Sequence, residues 1–180
     1  MNATSRQVRA TTTTEAAVLA LLALNGEQSG YDLLKHAGRS IGHVWAPAKS
    51  QLYALLPRLV QDGLASSRSV AQTGRPDKEL YALTTEGRAV LDEWLTTVVP
   101  GDEKGFHLKL FVGGLTTHEV LRCHVEQFLE DAQRRLAELE AVERGNTGTG
   151  NDWYHALLLE LGLGRARHSV AWAEKVLSAL

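Results

Sequence analysis

The sequence predicts a mainly α-helical protein with one small β-hairpin, built as an N-terminal domain that carries the hairpin and a C-terminal antiparallel pair of long helices. Three observations predict it. Within residues 48–61, Leu52, Leu55, Leu56 and Leu59 follow the spacing i, i+3, i+4, i+7 and form one apolar stripe on a helix, while Ser50, Gln51, Ala54, Arg58 and Gln61 lie away from it. After Gly63, residues 64–70 and 79–83 read as two strands around the turn Gln72-Thr73-Gly74-Arg75-Pro76-Asp77-Lys78, which carries Arg75 and Lys78 to its tip. Past residue 116, two long helix-patterned stretches are separated by a connection of Gly, Thr and Asn. A one-sided helix followed by a basic hairpin is the layout of a winged helix-turn-helix, and the long pair suits a coiled-coil-like dimerisation domain. The expected division is a flexible arm over 1–10, a winged domain over 11–100, a connector over 101–115 and a helical dimerisation domain over 116–180.

Residues 1–10 are polar and lack a period, hence the arm. The threonines at 11–14 offer N-caps, and Glu15 suits the first turn of a helix running to about Leu24. Val18, Leu19, Leu21 and Leu22 leave this helix little polar face, so it should be buried, and Asn25-Gly26 stops it. Ser29 caps a second helix over 30–41, with Tyr31, Leu33, Leu34, Ala37 and Ile41 facing inward. Gly42 breaks that helix, Trp45-Ala46-Pro47 turns the chain, and the Trp45 indole is expected as a core wedge between the second and third helices. Pro57 removes a backbone bond to the Tyr53 carbonyl and should bend the third helix.

Thr84 or Thr85 caps a fourth helix with Glu86 in its first turn and Val90, Leu91, Trp94, Leu95 and Val98 as its stripe. Pro100-Gly101 ends it, and 106–111 reads as a short helix broken at Gly113-Gly114. Thr116 and Glu119 form a T-x-x-E capping box that opens a helix over 117–144, about 40 Å long at the helical rise. Its seam is Leu121, Val125, Phe128, Ala132, Leu139 and Val142, interrupted at Arg135. The last helix, capped by Asn151 or Asp152, carries the matching stripe Trp153, Leu157, Leu161, Gly164, His168 and Trp172. Apolar surface left over is expected to be buried against a second copy, with Leu121, Val125, Phe128, Leu139, Leu157, Leu161 and Trp172 forming the homodimer interface.

A chain of 180 residues with 44% hydrophobic content can bury a sizeable core. The formal charge of −2 argues against an all-over polyanion binder, but the charge is unevenly spread. Residues 39–78 hold Arg39, Lys49, Arg58, Arg68, Arg75 and Lys78 against only Asp62 and Asp77, whereas the chain from Pro100 onward is acidic. The cationic surplus coincides with the two-faced helix and the hairpin, as an electrostatic footprint for phosphates should.

Cys123 is the only cysteine, which excludes an intrachain disulfide framework and a cysteine-rich zinc site; it is expected as a small buried residue in a cytoplasmic protein. Glu15 abutting the apolar run 16–24 argues against a secretory signal, and no stretch is long enough for a membrane span. His118 and His124 are six residues apart on one helix, not the three or four that share a face, so no metal site or cofactor is expected. Catalytic signatures such as G-x-S-x-G, a P-loop, H-E-x-x-H and CxxC are absent, so the chain does not read as an enzyme.

The free side of the third helix carries a hydroxyl, amides, a small residue and a guanidinium, which hydrogen-bond base edges and phosphates without the bulk that keeps a helix out of a groove. The DNA-contacting set is therefore Lys49, Ser50, Gln51, Tyr53, Ala54, Arg58, Arg75 and Lys78. Arg75, held between Gly74 and Pro76 in a narrow turn, is its strongest member. Trp94, Trp153 and Tyr154 offer flat rings for a small aromatic or hydrophobic effector.

Five pieces in order carry a resemblance to a known family: Ser29-Gly30-Tyr31-Asp32-Leu33; residues 50–59 running to Asp62-Gly63-Leu64; Gly74-Arg75-Pro76; Tyr81-Ala82-Leu83-Thr84; and Glu86-Gly87-Arg88. With these the chain resembles the PadR family of bacterial transcriptional regulators, in its longer form with a helical C-terminal dimerisation domain. The resemblance implies a dimer with two winged domains straddling a double-stranded DNA operator, and commonly release by phenolic acids or other small aromatic or cationic compounds. It implies that Tyr53 and its neighbours reach the major groove while Arg75 and Lys78 press on the minor groove or backbone. Pro57 stands where many relatives carry a lysine or arginine, which removes one phosphate contact. The expected function is a sequence-specific DNA-binding regulator, a repressor released by a small molecule; the alternative is a winged protein-interaction module that does not read DNA.

Overall fold

Thr12 and Glu15 open the first helix reciprocally: the Thr12 hydroxyl accepts the Glu15 N–H at 3.2 Å, and the Glu15 carboxylate accepts the Thr12 N–H at 2.8 Å. The computed structural model describes residues 11–40, 42, 45, 47–72, 74, 77–145 and 151–180. The expected arm over 1–10, Ile41, Ala46, the wing residues Thr73, Arg75 and Pro76, and the connection 146–150 lie outside the described residues.

Helix α1 (Thr13–Asn25) is buried from Glu15 through Leu22, as its nearly continuous apolar sequence requires, and Gly26 ends it with a positive φ of 72° that glycine adopts without a Cβ clash. Strand β1 (Gln28–Ser29) then leads directly into helix α2 (Gly30–Ser40). Helix α3 (Lys49–Gln61) is followed by strands β2 (Ala65–Val70) and β3 (Lys78–Leu83) and by helix α4 (Thr85–Thr96). Helix α5 (Glu103–Phe111), a 3-10 turn over Gly113–Leu115, and the long helices α6 (His118–Gly145) and α7 (Asn151–Leu177) complete the chain.

The sheet is antiparallel, in the order β1-β3-β2, with Ala65 opposite Leu83, Val70 opposite Lys78 and Gln28 opposite Tyr81. Its third strand was not expected, because two residues are too short to show an alternating period. The described residues up to Thr97, with His107–Leu115, form one unit; Val98–Phe106 with Thr116–Leu180 form the other.

In the first unit, Val18, Leu19 and Leu22 pack with Leu33, Leu52, Leu56, Leu59, Leu91, Leu95, Leu108 and Val112 in one core. Trp45 is buried in this core, and its indole N–H reaches the Thr14 hydroxyl of α1 at 3.4 Å, a contact with the first helix where a wedge between the second and third was expected. Two expectations are corrected. Tyr31 does not face inward but is 66% exposed, because α2 turns Leu33 and Ala37 to the core and leaves its first turn at the surface. Val98 lies beyond α4, which ends at Thr96 with Thr97 as its C-cap.

In the second unit, α6 and α7 run antiparallel: Phe128 meets Trp172 edge-on at 5.5 Å, and farther up α6 the Leu139 side chain lies over Gly162. Phe106 stacks on Phe128 at 4.4 Å and closes the aromatic cluster. The helix cap falls on Thr117, whose hydroxyl accepts the Val120 N–H at 3.4 Å and pairs with Glu119, one residue later than the expected Thr116. The matching stripe is corrected more substantially. It is Leu163, Ala166 and Ala173 of α7 that are buried, while Trp153, Leu157 and Leu161 are exposed and Gly164 and His168 face solvent. Small residues allow the two helices to approach closely, which turns the bulky stripe outward. Val142 of the expected α6 seam is exposed too, and so is Cys123, expected to be buried. No helix among the described residues is long and apolar enough to cross a membrane.

Candidate nucleic-acid interface

Helix α3 begins at Ala48, which has no side chain to cap with; the Gln51 amide oxygen instead accepts the Ala48 N–H at 3.3 Å. Gln51 is thus partly engaged in holding the helix start, and its amide nitrogen and the second lone pair of its oxygen are left to offer a partner. At the other end the Leu64 N–H bonds the Leu59 carbonyl at 2.8 Å and the Gly63 N–H bonds the Val60 carbonyl at 3.0 Å, a Schellman closure that needs the left-handed Gly63. Pro57 and Tyr53 are both exposed, so the carbonyl that loses its partner lies on the solvent side, and the helix continues through Pro57 to Gln61.

The two faces of α3 separate cleanly. Leu52, Leu56 and Leu59 are fully buried and Leu55 nearly so, whereas Lys49, Ser50, Gln51, Tyr53, Ala54 and Arg58 are exposed. Among the described residues neither Lys49 nor Arg58 forms an ion pair. Tyr53 is half-exposed; its ring rests on the backbone at Gly30, where an added Cβ would stand 3.2 Å from two ring carbons, with the Lys49 ammonium 5.7 Å from the ring centre. Tyr81 lies close by, its hydroxyl pKa raised by burial and by the charges of Glu79 and Tyr53. Gly30 as the platform for Tyr53 was missed, since the fit depends on where α2 begins relative to α3.

Among its described residues the hairpin differs from expectation at Lys78. Lys78 is the first residue of β3, not part of the tip, and its ammonium lies 2.9 Å from the Asp32 carboxylate in the first turn of α2. The Ser29 hydroxyl donates to the same carboxylate at 2.7 Å. On the neighbouring strand Arg68 forms a two-pronged pair with Glu27, which lowers the Glu27 pKa and raises that of Arg68. Arg75 lies outside the described residues.

The hydrogen bonds from Lys78 and then Ser29 hold the Asp32 carboxyl down at about 2, below its ordinary 3.8. A depressed carboxyl pKa adds stability that is complete above the unfolded value and is lost as pH falls from about 4 through about 2. With a third of the side chain exposed, this amounts to about 1 kcal/mol. Thermal melts are expected to separate wild type from Asp32→Asn at pH 6 and to converge near pH 2.

Of the three effector candidates, Trp94 belongs to the first unit. Its ring lies 4.7 Å from the Lys109 ammonium, and buried Lys109 donates to the Thr97 carbonyl at 2.5 Å. Trp153 and Tyr154 form an exposed edge-to-face pair on the first turn of α7, 4.9 Å between centres. Of the expected dimer contacts, Leu121 and Val125 are buried, and Phe128, Leu139 and Trp172 are engaged within the α6–α7 hairpin. Leu157 and Leu161 are exposed.

The sequence is similar to known proteins over nearly its whole length. Residues 18–93 match the model of the transcriptional regulator PadR-like family, and residues 104–180 match one described as virulence activator alpha C-term. The negative transcriptional regulator PadR of Bacillus subtilis is 30% identical over 174 residues, spanning 91% of this chain and 95% of that one. Among solved structures, Bacillus subtilis PadR with operator DNA is 26% identical, covering 93% of this chain and 97% of that chain, with a TM-score of 0.47. The same protein with p-coumaric acid covers 93% and 98% at 26% identity, with a TM-score of 0.45. On sequence kinship over nearly its whole length, the chain belongs to the PadR-like family of transcriptional regulators.

Proposed function

We propose that the chain is a homodimeric, sequence-specific DNA-binding repressor released by a small aromatic or hydrophobic effector. The observation that carries this reading is the two-faced α3: four leucines anchor it, and its opposite face presents Lys49, Ser50, Gln51, Tyr53, Ala54 and Arg58. Lys49 and Arg58, with no carboxylate to hold them among the described residues, supply phosphate contacts. Ser50, Gln51 and Tyr53 supply hydrogen bonds within a groove, and Ala54 keeps the helix slim between them. Arg75 on the wing is assigned to the minor groove or backbone, and Lys78 to the backbone at its base. Kinship with a negative regulator that binds operator DNA and p-coumaric acid supports the repressor and effector assignments.

A second copy is the natural cover for the exposed apolar row of α7. Trp153, Tyr154, Leu157, Leu158 and Leu161 all stand about half or more exposed, too much contiguous apolar surface for a lone helix hairpin in water. Trp153 and Tyr154 at the edge of that interface are the assigned effector-stacking residues.

The test is a titration of DNA from upstream of the chain's own gene. Binding is expected to weaken steeply with salt, and Arg58→Ala and Tyr53→Ala each to weaken it about tenfold. Arg58→Ala should also flatten the salt slope by about one, because one phosphate contact is removed. Binding indifferent to salt and to both substitutions would favour the winged interaction module.

A further inference from the structure

Two cations of the hairpin are already spoken for in the free protein. Arg68 is bound to Glu27 just before β1, and Lys78 is bound to Asp32 in the first turn of α2. The contrast with Lys49 and Arg58 matters, because a cation held by a carboxylate must exchange that partner before it can hold a phosphate. For Lys78 the exchange is within reach. The pair is partly open, with 37% of the lysine and 31% of the aspartate side chain exposed, and pairs of that kind are worth at most about 1 kcal/mol. The competing DNA phosphate adds the release of condensed counterions, a gain that Asp32 cannot match. Asp32 itself stays put: the Ser29 hydroxyl at 2.7 Å and the Ser29 N–H at 3.4 Å orient its carboxylate at the helix start whether or not Lys78 is there. Its charge therefore remains beside any phosphate that Lys78 would reach.

We propose that Asp32 is a positioning residue that sets DNA affinity by competing with the phosphate backbone for Lys78, so that the Asp32–Lys78 pair opens when DNA binds. This rests on the reading of the hairpin as a DNA contact. The chemistry required of the partner is a polyanion with regularly spaced phosphates, and the consequence is a brake: the protein binds DNA less tightly than its cations allow.

The experiment measures DNA affinity of the full chain across a range of salt for wild type, Asp32→Asn, Lys78→Ala and the double variant. Asparagine keeps an oxygen for the Ser29 hydroxyl and removes only the charge. Asp32→Asn is expected to bind about three- to tenfold more tightly at low salt, with a salt slope steeper by about one, as Lys78 becomes a full phosphate contact. In the Lys78→Ala background most of that gain should vanish. A residue that merely braces the fold would move stability and leave the slope alone. Nuclear magnetic resonance of the wild-type protein supplies a measurement that needs no variant: the Asp32 carboxylate carbon is expected to shift on DNA addition toward the value of a carboxylate without an ammonium partner.

Unchanged or weaker binding by Asp32→Asn, an equal gain with Lys78 removed, or an unmoved Asp32 resonance overturns the inference while leaving salt-dependent wild-type binding intact. Absence of salt-dependent binding by wild type overturns the DNA-binding reading itself, and this inference with it.

Discussion

Gly87→Ala is expected to destabilise the winged unit by about 3 kcal/mol, lowering its melting temperature by roughly 12 °C or more. Gly87 sits in the first turn of α4, where a Cβ would stand 1.9 Å from the Leu64 carbonyl oxygen, 2.8 Å from its carbon and 2.9 Å from a Leu83 methyl. A backbone oxygen cannot swing aside as the end of a side chain can. The same junction is tied by the Thr84 hydroxyl donating to the Gly63 carbonyl at 2.7 Å and accepting the Gly87 N–H at 2.9 Å, so α4 can retreat only by breaking its own cap. Alanine's better helix propensity, about 1 kcal/mol over glycine, offsets only part of this. Gly38→Ala is the control. It lies within α2 with nothing within 4 Å of an added Cβ, and should be neutral or stabilising by up to about 1 kcal/mol. Chemical denaturation of the two variants beside wild type checks both signs.

The second large effect is on assembly. Leu157→Glu combined with Leu161→Glu changes two side chains that are already about half exposed, so the hairpin itself should keep its helix content and melting behaviour. If a second copy covers that row, four carboxylates are brought together in the dimer and about 3 kcal/mol of apolar burial is lost on each side. Sedimentation at micromolar concentration is expected to show a dimer for wild type and a monomer for the variant. Operator affinity should fall by 100-fold or more, because each half-site then loses the high effective concentration that linkage supplies. A variant that stays dimeric would move the interface elsewhere on the chain.

Much of the winged unit was legible because its elements announce themselves chemically. The i, i+3, i+4, i+7 leucines of α3, the threonines that offer N-caps before Glu15 and the strand-patterned stretches on either side of the turn each have a local physical cause, and the structure places α1, α3, β2 and β3 within a residue or two of expectation. What stayed hidden depends on partners distant in sequence. Strand β1 exists because β3 offers an open edge to residues 28 and 29, not because those residues prefer a strand. The Asp32–Lys78 pair joins residues that no short-range pattern connects. Tyr31 shows the limit of periodicity, since an aromatic residue at an inward-looking spacing is left outside when the helix begins at the surface.

The α7 reversal has a different origin. Both the bulky stripe and the small-residue stripe have helical spacing, and sequence alone ranks the bulky one as core. The hairpin instead packs Leu163, Ala166 and Ala173 inward beside the Gly162–Leu139 approach, and keeps Trp153, Leu157 and Leu161 outside. An exposed apolar row was thus readable as surplus, but not which row it would be.

The most direct test of α3 as the reading element is site-directed cleavage: an iron chelate attached to Gln61→Cys, an exposed position at the end of α3, with Cys123→Ser removing the native exposed thiol. The expected result is strand cleavage confined to two clusters on the bound upstream DNA, about 34 Å or one duplex turn apart, one from each protomer. Cleavage spread evenly along DNA that remains bound, or no cleavage at all, would contradict the placement of α3 in the groove.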